Sequence, residues 1–559
     1  MIPLRVLVIA GAATCLLGTA PSYADSTPAS RALAAAERSA IVDAPAGTMK
    51  GILEGNLRVF KGIPYAQPPV GKLRWKPPRP FPRWQGVRKT IAFGPACFQP
   101  TNTFVSVYIE QPMPMSEDCL TLNIWAPADA HDAPVFFWIY GGALWGGASR
   151  QALYDGTRLA EHGVIVVSIN YRLGVLGWLA HPQLSAESPQ GISGNYGLLD
   201  QIAALEWVRR NIAVFGGDPA NVTIAGESAG ALSVMYLMVS PEARGLFAKG
   251  IAESAYMISM PSLRQDKYGM PSGEGSGVRL AAAVHASGIA ALRAMDPLKL
   301  TNAAAAVGFG PWGTVDGHVF PEQMVTAFDK GDQAHVPILA GFNSGEIRSL
   351  RVLAPPAPAT AARYETVIRD RYGPLAGEFL RLYPATNMEE SILAATRDGL
   401  YGWTAERLVR RQTALGLPSY LYLFDHGYIA ADNAHLHGFH ASELPYVFGK
   451  LDGTPPIWPP IPASPRENEL SDAMLDYWTS FARAAKPQAA NAPDWPPYGS
   501  AGAYMHFTDT PHPETRLMPG MYRLNEEVVC RRVAAGSLPW NWNVGLASPK
   551  LPPESARCP

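Results

Sequence analysis

Charge is scarce in this 559-residue chain: Asp, Glu, Lys and Arg make up 17% of it, and the formal net charge is −1. No lysine- or arginine-rich run or stripe occurs, and without a basic footprint no nucleic-acid partner is expected. Cysteine is rare, with five in all. Beyond the N-terminus no apolar run reaches the ~20 residues that a helical membrane span needs, so no stable membrane anchor is expected. The chain is instead rich in apolar residues (47%) and aromatics (10%), with 52 Gly and 52 Pro. That composition excludes a disordered chain and describes a large, loop-rich globular core.

The first residues read MIPLRVLVIAGAATCLLGTAPSYADS. One positive charge, Arg5, precedes an apolar stretch that ends in Ser22-Tyr23-Ala24, small residues where a signal peptidase cuts. We expect residues 1–24 to be a cleavable signal peptide, and the product to be secreted or periplasmic. Cleavage removes Arg5 and no acid, leaving 45 basic and 47 acidic residues. Cys97, Cys119, Cys530 and Cys558 then remain. An even number in an exported chain points to disulfides. Three pairings are open, and the two local ones, Cys97–Cys119 and Cys530–Cys558, are favoured.

No repeat or low-complexity linker divides the chain. Residues 25–545 are expected to form one domain, with 546–559 as a tail tied by Cys530–Cys558. Near-continuous apolar runs at 134–140, 163–171, 221–226, 249–254, 336–342 and 419–425 predict strands buried on both faces. Helical patterns lie between them, the clearest over 196–213. Strands alternating with helices give an α/β layered fold, whose sites lie at the carboxyl ends of the strands. The Pro-rich segment 354–358 and the stretch 452–467 read as surface excursions.

Gly226-Glu227-Ser228-Ala229-Gly230 follows a predicted strand and opens an apolar helix. A G-x-S-x-G in that context is a nucleophile elbow, a turn so tight that the flanking positions must lack bulk. Such a serine needs an oxyanion hole. Ala229 N–H offers one donor, and the Gly-rich turn after residues 134–140 offers Gly142 and Ala143. The turn is neither a dinucleotide nor a phosphate loop: Ala143 breaks G-x-G-x-x-G, and no Gly-Lys-Ser/Thr follows. The serine also needs a base, and the base an acid to orient it. His440, in a loop after the strand 419–425, and Glu346, just past the strand 336–342, fill these places. The order Ser228, Glu346, His440 is that of nucleophile, acid and base in α/β-hydrolases. His435, His437 and His440 form a cluster, but no carboxylate or cysteine at ligand spacing completes a metal site, so neither metal nor cofactor is expected.

The chain resembles the type-B carboxylesterase family, which includes cholinesterases, bile-salt lipase and secreted bacterial para-nitrobenzyl esterases. The likeness runs from about residue 45 to 510 and rests on FKGIPYAQPPVGKLRW (60–75), SEDCLTLNIW (116–125), IYGGA (139–143), NYRLGVLG (170–177), GNYGLLDQ (194–201), FGGDP (215–219), VTIAGESAG (222–230) and FHASELPYVFG (439–449). It implies an α/β-hydrolase fold: a large, mostly parallel central sheet with helices on both faces. It also implies a Ser228–Glu346–His440 triad, an oxyanion hole of Gly142, Ala143 and Ala229, and a Cys97–Cys119 bridge. Glu227, Ser254 and Glu443 match the family's buried polar support around the histidine. Two departures bear on substrate. Leu144 replaces the usual aromatic after the glycines, and the Cys97–Cys119 loop has no tryptophan with which to hold a quaternary ammonium, which argues against choline esters.

The expected chemistry is hydrolysis of a small carboxylic ester by water through an acyl-enzyme, failing at low pH as the histidine titrates, near 6.5 if unperturbed. Trp145, Trp178 and Trp312 are placed by resemblance along the entrance to the site. The rival readings are a lipase, amidase or peptidase with the same triad, and a non-catalytic binding protein. Oligomeric state is not legible.

Overall fold

A computed structural model describes residues 40–101, 106–108, 113–540 and 543–558. The expected signal peptide, residues 1–24, lies outside them. Among the described residues, β1 (Ile41–Ala44), β2 (Gly47–Lys50) and β5 (Val87–Lys89) form a small sheet. The large sheet begins with β3 (Ile52–Glu54), β4 (Leu57–Pro64), β6 (Thr121–Pro127), β7 (Ala133–Ile139) and β8 (Ile165–Ile169). It continues through β9 (Gly217–Glu227), β10 (Lys249–Glu253), β11 (Ile338–Asn343), β12 (Ser419–Phe424), β13 (Ala503–Phe507) and β14 (His512–Thr515). Its order is β14-β13-β12-β11-β10-β9-β7-β8-β6-β4-β3.

The sheet is parallel from β8 through β13 and antiparallel at both ends, where β6, β4 and β3 close one side and β14 the other. The apolar runs mark this parallel centre: every residue of β7, β8, β10, β11 and β12 is buried. Helices supply the cover that such strands require. Tyr196–Asn211 buries Leu198, Ile202, Leu205 and Val208 while Arg209 and Arg210 stay in solvent, as the pattern predicts.

The resembling motifs lock onto one another. Arg172 grips Asp200 through Nε and Nη2, both at 2.7 Å, and also donates to the Lys76 carbonyl at 3.0 Å. Trp75 Nε1 donates to the Val175 carbonyl at 2.9 Å, and Arg74 forks onto Glu117 at 2.6 and 2.7 Å. Charges so buried persist only when each is paired.

The cysteines pair as Cys97–Cys119 and Cys530–Cys558. The C-terminal segment is bound by more than its bridge: buried Arg532 donates to the Trp540 carbonyl at 2.9 Å and to Ser548 Oγ at 2.7 Å. Ala40–Pro559 forms a single unit. No helix among the described residues is long and apolar enough to cross a membrane.

The stretch 452–467 departs from expectation. Much of it is exposed, Pro456, Ile457 and Pro460 included, but it is anchored inward: Trp458 is buried against Phe439 with ring centroids 4.7 Å apart, and Glu467 is buried against His426 at 2.8 Å. Tryptophan amid prolines gives no periodic signal, and its partner lies next to His440.

Candidate active site

The central strands end side by side and set the site. In register, Ile139 of β7 faces Gly226 of β9, and Glu227 of β9 faces Glu253 of β10. At the end of β9 the chain turns at Ser228, whose φ of 55° and ψ of −119° are strained for a residue with a side chain, and the helix Ala229–Val239 follows at once. The glycines are obligatory. A Cβ on Gly230 would sit 2.0 Å from the Ile139 carbonyl oxygen, and one on Gly226 2.5 Å from the Gly230 carbonyl carbon. Ser228 N–H donates to the Glu253 carbonyl at 2.9 Å, pinning the turn to the neighbouring strand.

Glu346 begins a short helix just past β11. Its carboxylate is fully buried and surrounded by donors: Oε1 accepts from Ser254 Oγ at 2.6 Å and Asn343 N–H at 2.8 Å, while Oε2 contacts His440 Nδ1. The acid loop and the histidine loop are joined through main chain, with Gly345 N–H donating to the Gly438 carbonyl at 2.7 Å. Asn343 Nδ2 bridges to the Phe439 carbonyl at 2.8 Å and to Glu443 Oε2. These contacts fix the face of the imidazole that meets Glu346.

The other ring nitrogen, Nε2, lies 3.0 Å from Glu227 Oε1. That is ion-pair distance, yet Glu227 Oε1 has no hydrogen-bond partner among the described residues, so the contact is off the line of a hydrogen bond. Burial works against a charged imidazole here, but Glu227 and Glu346 outweigh it and raise His440 to about 9. The 6.5 of an unperturbed imidazole therefore does not apply, because Glu346, expected as its acid, and Glu227, expected in the polar support around it, both lie close enough to raise it. Burial pushes Glu227 up to about 7 and Glu253 up to about 8, and it drives Glu443 well above the ordinary range.

Gly142 and Ala143 are exposed at the end of β7, and neither N–H enters a main-chain hydrogen bond among the described residues. Gly142 (φ 102°), Ala143 (φ 55°) and Leu144 (φ 60°) run consecutively left-handed, a strained turn. A Cβ on Gly142 would lie 2.4 Å from the Gly146 carbonyl oxygen. Leu144 is fully buried.

Three tyrosines complete the site, none of them anticipated. Tyr256, just after β10, is hydrogen-bonded to Ser228, and burial keeps its hydroxyl protonated far above the usual phenol range. Tyr401, in a π-helical turn over Asp398–Gly402, lies 5.3 Å from His440 between ring centroids. Such turns recur at functional sites because they re-aim one side chain. Tyr108, within the Cys97–Cys119 loop, donates to the His440 carbonyl at 2.8 Å. Tyr256 lies two residues beyond Ser254 at a strand's carboxyl end, a place that could have flagged it; nothing in the sequence marked the other two.

Of the three tryptophans, Trp178 is a core residue, 2% exposed, packed against Tyr236 and Gly197, and does not line the entrance. Trp145 is half-buried against Phe309 and Gly174, and Trp312 is half-buried beside Gly310. The three clustered histidines diverge. His440 turns to Glu346, whereas His437 meets Asp432 at 2.7 Å and Asp425 at 3.3 Å. Carboxylates five and twelve positions away therefore do reach His437, and they raise it to about 9.

Comparison with known proteins agrees with this architecture. The carboxylesterase family pattern matches residues 38–524. The chain belongs to the carboxylesterase family. It is a carboxylic ester hydrolase with the α/β-hydrolase fold. The esterase is 36% identical over 486 residues to the fumonisin B1 esterase of Sphingopyxis macrogoltabida, covering 82% of this chain and 85% of that one. It is 35% identical over 465 residues to the para-nitrobenzyl esterase of Bacillus subtilis, covering 82% and 92%. A solved para-nitrobenzyl esterase structure superposes on the esterase with a TM-score of 0.75 at 31% identity, covering 87% of this chain and 99% of that one.

Proposed function

We propose that the esterase acts through Ser228 as nucleophile, His440 as general base and Glu346 as the acid that orients it. Two observations support this reading: a strained serine at a strand-to-helix turn, and an imidazole anchored through Nδ1 to a fully buried carboxylate. With Nδ1 held by Glu346, Nε2 is the ring position left to take a proton. Ser228 Oγ attacks the ester carbonyl carbon as its proton passes to His440. The carbonyl oxygen becomes an oxyanion on the amides of Gly142, Ala143 and Ala229, each worth about 2.7–4 kcal/mol of barrier. Imidazolium then protonates the departing alkoxide. Water, deprotonated by the same imidazole, attacks the acyl-enzyme and releases acid and serine.

Glu227, Ser254 and Glu443 support this centre. Ser254 and Asn343 hold Glu346, Asn343 ties Glu443 to the histidine loop, and Glu227 biases the charge on His440. The substrates proposed are small, neutral carboxylic esters other than choline esters, with water as the only co-substrate. Residues 1–24 are proposed to direct export and to be cut after Ala24, in keeping with two disulfides that persist in oxidising compartments.

Ser228→Ala is expected to lower p-nitrophenyl acetate hydrolysis by about 10⁴-fold or more and to abolish labelling by a fluorophosphonate. Retained hydrolysis by the purified variant would overturn the assignment. Competing p-nitrophenyl esters of rising chain length with anilides measures the preference among leaving groups.

A further inference from the structure

The β13–β14 hairpin carries a cluster that the esterase chemistry does not use. His506 and His512 are directly opposed across the two strands, as are Tyr504 and Glu514. With a period of two, all four side chains share one face, while Met505 and Phe507 point into the core. We propose that His506, His512 and Glu514 form a binding site for a zinc-class divalent cation on that outer face.

The atoms already approximate a coordination shell. Glu514 Oε1 lies 3.2 Å from His506 Nδ1 and 3.1 Å from His512 Nε2, and all three ligand atoms fall within 4.8 Å of one another. Ligands about 2.0–2.1 Å from a tetrahedral ion stand about 3.3–3.4 Å apart, so small side-chain adjustments close the shell and leave the fourth position to water. Two imidazoles with one carboxylate, and no thiolate, select zinc-like ions over the hard all-oxygen cations.

The outer contacts are those of a metal site. His506 Nε2 faces Asp425 Oδ2 at 3.1 Å, His512 Nδ1 faces the Thr510 carbonyl at 3.0 Å, and Tyr504 Oη donates to Glu514 Oε2 at 2.5 Å. Each ligand thus has its non-ligating atom held by a neighbour, the support that metal-bound histidines ordinarily have. Counting donors favours the cation over hydrogen bonding alone. A neutral imidazole carries one N–H, yet both nitrogens of both rings face oxygen. The two rings stand with centroids 5.1 Å apart on the same face, so their inner nitrogens converge on Glu514 Oε1. A divalent ion bound at the inner nitrogens would leave the single N–H of each ring for Asp425 or Thr510.

The test is calorimetric titration of untagged, chelator-stripped full-length protein with ZnCl₂ at neutral pH. Saturable binding of one ion per chain is expected, together with a higher melting temperature. His512→Ala and Glu514→Gln should each weaken binding at least tenfold and remove the zinc-dependent rise in melting temperature. Asp425→Asn should weaken binding about 10–100-fold, and His131→Ala, at an exposed histidine elsewhere, should not change it. Circular dichroism verifies that each variant is folded, and Glu514→Gln serves if His512→Ala is not. Absence of saturable binding, or affinity undiminished in the folded variants, overturns the proposal.

Discussion

His440 sits between two carboxylates that act on it differently. Glu346 meets Nδ1, while Glu227 stands beside Nε2 without hydrogen-bonding it. Both favour imidazolium, which is the wrong form for a base, so neutral His440 should dominate only at alkaline pH. The acid limb of kcat/KM is therefore expected above the ordinary 6.5, toward the raised value of about 9. Removing one of the two charges lowers that pKa, so Glu227→Gln should move the limb to lower pH. A pH–rate series on both proteins checks this, and an unmoved limb refutes the part given to Glu227. Tyr256 offers a second probe. Its hydroxyl holds the nucleophile and stays protonated at every working pH. Tyr256→Phe is expected to lower kcat about tenfold, the loss of one hydrogen bond of roughly 1.4 kcal/mol at the reacting oxygen. Stopped-flow acylation with p-nitrophenyl acetate would reveal that loss, and a rate equal to wild type would remove Tyr256 from the chemistry.

Loops that look separate along the chain are coupled through single contacts. The Cys97–Cys119 bridge closes a segment whose Tyr108 props the His440 carbonyl at 2.8 Å. Cutting it with Cys97→Ser/Cys119→Ser should cost about 3 kcal/mol by the loop-closure argument. It should also lower kcat, because the histidine loop loses a support; urea denaturation and steady-state rates measure the two effects separately. The helix Tyr196–Asn211 is tied to the residue 170–177 turn by a buried ion pair, Arg172–Asp200. Asp200→Ala leaves an uncompensated guanidinium in the interior, with an expected loss of about 3–5 kcal/mol. Denaturation showing a loss below about 1 kcal/mol would mean that water reaches the site.

The molecule as a whole gathers Glu253 and Glu443 among the ends of its parallel strands, where burial keeps them protonated. The sign for folding follows from linkage. For Glu253 the folded value, about 8, exceeds the ordinary 4.5, so the folded state holds a proton that the unfolded chain has released. Its contribution to stability is complete below pH 4.5 and is lost as pH rises toward 8. Glu253→Gln keeps an acceptor for Trp478 Nε1 and carries no charge. It should melt about 1–3 °C above the parent at pH 8 and converge with it below pH 4.5, as calorimetric scans would record. Equal melting temperatures across that range would show that the carboxyl group is hydrated in the folded protein.

Local chemistry made much of this legible in advance. The apolar runs located the inner strands to within a few residues, because strands covered on both faces have no polar side to interrupt them. The G-x-S-x-G turn located the elbow, because no other residue fits where a Cβ would meet the Ile139 carbonyl. Packing settled the remainder: Trp178 was drawn into the core, residues 452–467 were folded over the histidine loop, and Asp425 was carried to His437. These outcomes depend on pairs 12 to 58 positions apart. The raised pKa of His440 is of the same kind, since an imidazole titrates according to the charges folded around it, and Glu227 and Glu346 become its neighbours only when the strand ends meet.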